Sequence, residues 1–98
     1  MKVLTLNLWG GRLGEPLLDF LRRNTDIDIF CFQEVYHNAT RHEIIYKTAN
    51  LELYRDLVDT LPEYTGFFEP VLRTYWGLAI FIKKGITFET PVHSVIYD

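Results

Sequence analysis

The stretch Asp28-Ile-Phe-Cys-Phe-Gln-Glu34 constrains the fold of this 98-residue chain more than any other. It is a short apolar run, rich in aromatic and β-branched residues and bounded by carboxylates, which predicts a buried β-strand rather than a helix. A glutamate at the tip of a buried strand is costly unless something pairs with it. An arginine, a capping contact with the next segment, or a hard cation would each meet that need.

The residues upstream say where Glu34 sits. Met1 to Leu8 alternates as a strand, with Leu4, Leu6 and Leu8 on one face and Val3, Thr5 and Asn7 on the other. Trp9-Gly10-Gly11 breaks it, and Glu15-Pro16 opens a helix, proline being comfortable in a first turn. Leu17, Phe20 and Leu21 are expected on the buried face of that helix, and Asp19, Arg22 and Arg23 in solvent. Asn24 to Asp26 ends it. Strand, helix and strand in this order predict a βαβ unit with parallel strands. Parallel strands end at the same edge, so Asn7 and Glu34 come together where open α/β sheets bind their ligands. Two oxygen donors, each closing a hydrophobic strand, look like half of a hard-cation site.

Downstream, Tyr36 to Ala49 is polar and reads as a loop with some helix. Leu51, Tyr54, Leu57, Val58 and Leu61 recur at helical spacing before Pro62. Tyr64 to Glu69 and Gly77 to Lys84 predict strands, Lys83-Lys84-Gly85 a turn, and Ile86 onward a further strand towards Ile96. The expected class is α/β.

Composition narrows the function. Hydrophobic residues make up 48% and charged residues 23%, which is globular rather than disordered. The net charge of −3 disfavours a non-specific polyanion binder. It leaves room for a phosphate-ester enzyme, in which a bound divalent cation supplies positive charge at the substrate. The single cysteine, Cys31, makes an intrachain disulfide impossible. The N-terminal apolar run is too short for a signal peptide or membrane span, so the expectation is a cytoplasmic protein.

Three segments resemble the start of the endonuclease/exonuclease/phosphatase superfamily, the DNase I-like metal-dependent phosphoesterases. Leu6-Asn7-Leu8-Trp9-Gly10 is similar to the family's opening strand and its asparagine. Asp28 to Glu34 is similar to the strand closing in Gln-Glu, whose glutamate binds magnesium. Gly77-Leu-Ala-Ile-Phe-Ile-Lys83 resembles a strand in which a small residue precedes an apolar run. The order and spacing agree. The family's later Gly-Asp-x-Asn-like turn and Asp-His pair are absent from the sequence, and His93 has no acidic neighbour. The resemblance therefore implies the N-terminal part of a DNase I-like four-layer α/β sandwich, with residues 1–98 as one incomplete domain.

The resemblance further implies Glu34 as a Mg²⁺ (or Mn²⁺) ligand, and Asn7 as a group that bonds a phosphate oxygen or holds a catalytic group in place. Asn7 also suits a strand-end turn. Trp9 either lines a substrate cleft or packs in the core. His37 and His42 are spaced by five, which does not stack them on a helical face. His37, Asn38 and Arg41 are candidates for substrate contact through nearness to Glu34. Arg73, Tyr75 and Trp76 offer an arginine-plus-aromatic surface that packing explains equally well. The implied substrate is a phosphate ester: nucleic acid, nucleotide, phospholipid or inositol phosphate. A non-catalytic α/β module, self-associating through an exposed sheet edge, is the competing expectation.

Overall fold

The computed structural model describes residues 1–39 and 49–86. In chain order these contain β1 (Val3–Asn7), a 3₁₀ turn (Trp9–Gly11), α1 (Glu15–Arg22), β2 (Ile29–Tyr36), α2 (Leu53–Thr60), β3 (Tyr64–Leu72) and β4 (Trp76–Lys83). The strands make one mixed sheet in the order β1-β2-β4-β3. β1 lies parallel to β2, joined by the α1 crossover, while β4 runs antiparallel to both β2 and β3. The domain is mixed α/β. The strand expected from Ile86 to Ile96 lies mostly outside the described residues, as do Arg41, His42 and His93.

The core forms where the helices meet one sheet face. Leu17 and Leu21 of α1, and Leu53 and Leu57 of α2 with Leu61 just beyond it, are buried with Phe30, Phe32, Ala79 and Phe81 from the central strands. Each helix thus anchors by leucines four apart, on one stripe. Two expected core residues fall off these stripes: Phe20 is 44% exposed and Val58 42%. A helix this short buries only the face centred on its i, i+4 leucines, and both residues point to its flank. The stacked rings of Phe30 and Phe32 (centroids 5.3 Å apart) and the tilted Phe32–Phe81 pair (5.8 Å) fill the centre. Tyr64 closes the core at one end, its hydroxyl donating to the Ile27 carbonyl.

The opposite sheet face is also apolar. In register across the four strands stand Val3, Ile29, Ile82 and Thr65, and beside them Thr5, Cys31, Ile80 and Phe67. Neither helix packs there. At the far end from Glu34 the sheet is tied by charge. The Lys2 ammonium lies 2.6 Å from Asp26, and the Lys2 backbone N–H donates to Asp28 at 2.8 Å. Their hydrogen bond raises the pKa of Lys2 and lowers that of Asp26.

Two strands run further than their sequence suggests. β2 does not stop at Glu34 but continues to Tyr36, and β3 passes Glu69 to reach Leu72. Both carry a bulge, which absorbs residues that do not fit the regular ladder. Where β3 is irregular, Gly77 is required opposite Pro70. A Cβ there would lie 2.0 Å from the Glu69 carbonyl oxygen, a backbone atom with no room to yield.

Candidate active site

Asn7 and Glu34 meet where β1 ends alongside β2, two residues before β2 itself ends at Tyr36. The register sets Asn7 opposite Gln33, so a regular β2 would turn Glu34 to the other face. The bulge prevents this. Between the pairs Phe32–Ala79 and Val35–Gly77, β2 places Gln33 and Glu34 against the single residue Leu78. Glu34 takes the extra position in a left-handed conformation, φ +58. Glycine is usual at such a site, so a glutamate there carries strain of a kind that clusters at functional positions. The re-aimed carboxylate accepts a hydrogen bond from the Asn7 side-chain amide through Oε2.

Both ends of the Asn7 amide are in use. Its oxygen accepts the backbone N–H of Trp9 at 2.9 Å while its nitrogen donates to Glu34. Asn7 therefore orients the carboxylate and fixes the turn that follows. Among the described residues Glu34 forms no ion pair. Its charge is held by an amide dipole and by open space.

That space is a cleft of about 80 Å³ lined by Trp9, Arg12, Glu34, Tyr36 and Trp76, with Gly10 and Ala49 at its base. The 3₁₀ turn that shapes it has Trp9 at φ +47 and Gly10 at φ +66. Gly10 must be glycine on two counts. Its backbone is left-handed, and a Cβ would lie 2.8 Å from the Tyr36 ring. The Gly10 carbonyl accepts the Asn50 N–H at 2.7 Å, tying the turn to the start of α2. Trp9 stays 54% exposed, its indole presented to the cleft.

The expected site residues divide. Asn7 and Glu34 are brought into contact, and Trp9 lines the same cleft. His37 and Arg73 do not line it. The His37 ring packs edge-on against Tyr54 (4.9 Å) and Phe68 (5.2 Å), and its buried Nδ1 has no hydrogen-bond partner among the described residues. Its backbone N–H bonds the Tyr75 carbonyl at 3.0 Å, which holds it to the β3–β4 turn. Arg73 is exposed in that turn at φ +56.

Arg12 and Tyr36 are the cleft residues that sequence reading does not single out. Arg12 follows the two glycines that fold the chain back, and Tyr36 follows the bulge two residues after Glu34. Neither spacing is a motif without knowledge of the bulge and turn. Trp76 enters the cleft through the hairpin, edge-on to Tyr36 at 4.6 Å. No helix among the described residues is long and apolar enough to cross a membrane. Comparison with family models, curated proteins and solved structures finds no match for this chain.

Proposed function

We propose that this chain supplies part of the active site of a Mg²⁺- or Mn²⁺-dependent phosphoesterase, as the N-terminal portion of a DNase I-like four-layer sandwich. The carrying observation is the Asn7–Glu34 contact, built on a strained bulge at the carboxyl edge of parallel strands. A strained residue that spends its strain on aiming a carboxylate into a cleft points to chemistry rather than packing.

The donor set fits a hard cation. Magnesium takes few protein oxygens and keeps several waters, so one carboxylate with substrate oxygens suffices. No group of three or more His, Cys, Asp or Glu forms among the described residues, so the fit is to this single-carboxylate type. A bound divalent cation would supply positive charge to neutralise the phosphate and the oxyanion that develops on hydrolysis. Glu34 would hold the cation, and Asn7, donating to its Oε2, keeps the carboxylate in place. The further acid, base and histidine implied by the resemblance belong to motifs outside this sequence, and hydrolysis needs them from additional or complementing chain. The second sheet face, with Val3, Cys31, Ile80 and Phe67, is where the other half of a sandwich would pack.

Binding of Mn²⁺ to the chain is the direct test. Paramagnetic broadening of the amide signals of Asn7 and Glu34 is expected, and Glu34→Gln should abolish it while keeping the hydrogen bond from Asn7. Equal broadening in the variant would end the assignment. The same apolar face favours a second reading, a non-catalytic module whose sheet recruits another copy. Sedimentation showing a dimer, together with no Mn²⁺ effect, would favour it.

A further inference from the structure

The chain has two tryptophans, and both line the cleft beside Glu34. They come from different elements, Trp9 from the 3₁₀ turn and Trp76 from the start of β4. Trp9 is 54% exposed, and its backbone N–H donates to the Asn7 side-chain oxygen. Its backbone is left-handed, and two positive-φ glycines follow. An indole this exposed at the cleft offers a π-face on which a ring can stack. Tyr36 backs Trp76, and Arg12 adds a guanidinium to the same lining.

We infer that this cleft is a nucleobase subsite, so that the phosphate ester taken at Glu34 is a nucleotide, either free or at the end of a strand. The inference rests on the phosphoesterase reading for its phosphate and on the indoles for its base. Every nucleobase has a π-face, and stacking on aromatic side chains is the sequence-tolerant way to hold one. At about 80 Å³ the cleft is far below the roughly 300–1,000 Å³ that engulfs a drug-sized ligand. It takes one planar ring and leaves the rest of the molecule outside. Acyl chains need a longer apolar groove than these few residues provide. An inositol ring presents hydroxyls rather than a flat π-face.

Intrinsic fluorescence reports on this site alone, because no tryptophan lies elsewhere in the chain. In the presence of Mg²⁺, adenosine 5′-monophosphate should quench the emission saturably, and ribose 5-phosphate or inositol 1-phosphate should bind at least about ten-fold more weakly. Trp9→Ala, at an exposed position, should keep the melting temperature and weaken the nucleotide by about ten-fold. Trp76→Phe keeps a ring at its position and leaves Trp9 to report. A single-stranded dinucleotide binding tighter than the monophosphate assigns the subsite to a strand end, and equal binding assigns it to free nucleotide. Ribose 5-phosphate binding as tightly as the nucleotide overturns the base assignment and leaves the phosphoesterase reading standing. Adenosine binding as tightly as its monophosphate, with Mg²⁺ making no difference, removes the phosphate chemistry and the nucleotide assignment with it. Absence of quenching by any of these ligands overturns the inference outright.

Discussion

Glycine should be a better residue than alanine at position 34, against the usual order in a strand. Both substitutions remove the carboxylate and the bond from Asn7, so their difference isolates the backbone. At φ +58 an L-residue pays about 1–2 kcal/mol for the left-handed conformation. Glycine escapes that cost but loses about 0.5–1 kcal/mol more backbone freedom on folding. The balance favours Glu34→Gly over Glu34→Ala by about 0.5–1 kcal/mol. In a domain of this size about 1 kcal/mol shifts the melting temperature by roughly 4–8 °C, so the glycine variant should melt about 3–6 °C higher. Thr5, exposed in the regular part of β1, provides the control. There alanine should be the more stable, by about 0.5–1 kcal/mol. Thermal melts of the four variants by circular dichroism decide the matter. If Glu34→Ala is as stable as Glu34→Gly, the bulge stores no strain and the functional argument built on it fails. Both variants should lose the Mn²⁺ effect at Asn7, so the more stable one is no more competent.

Two further outcomes follow from the same geometry. Gly77→Ala drives a Cβ into the Glu69 carbonyl and the Pro70 backbone, and a urea melt should show a loss of about 3 kcal/mol or more. Gly85→Ala, where a Cβ meets nothing but φ is +96, should lose only the roughly 1–2 kcal/mol of the left-handed backbone. Burial, with Asp28 and Asp26 adding to it, raises the pKa of the Tyr64 phenol. The folded chain therefore keeps a proton that the unfolded chain loses above pH of about 10, and stability should fall as pH rises past that value. Tyr64→Phe should flatten the alkaline decline in a pH series of melts, while costing about 1 kcal/mol at neutral pH through the lost bond to Ile27.

The parts of the fold legible in the sequence were those written as apolar periodicity. Leu4 and Leu6, Phe30 and Phe32, and the pairs Leu17/Leu21 and Leu57/Leu61 are where period two or period four predicts burial, whereas Leu53, equally buried, falls outside the expected helical stripe. Parallel pairing followed from the strand–helix–strand order, and with it the meeting of Asn7 and Glu34. What periodicity hides is irregularity. The bulge at Gln33–Glu34 is imposed by a partner strand and leaves no glycine or proline in β2 to announce it. Reading β2 as ending at Glu34 therefore reached the right neighbour for the wrong geometric reason. Phe20 and Val58 show the converse limit, since apolar identity alone does not place a residue on the narrow stripe a short helix buries. His37 illustrates a third. Nearness in sequence to Glu34 does not survive a bulge, which sends the chain on to the β3–β4 turn and the ring into an aromatic cluster.

The strand order has a consequence for synthesis. Glu34 is made early, yet the two-against-one step that aims its carboxylate exists only opposite residues 77–79 of β4. A growing chain that has reached residue 75 already holds Asn7, Trp9 and Glu34 but has nothing to force β2 out of register. Its strand pair β1–β2 alone would direct Glu34 away from Asn7. The Asn7–Glu34 contact thus waits on the arrival of β4. If Glu34 is the proposed ligand, a chain stalled before Trp76 should carry Asn7 and Glu34 and yet show no Mn²⁺ effect, gaining it once β4 inserts between β2 and β3.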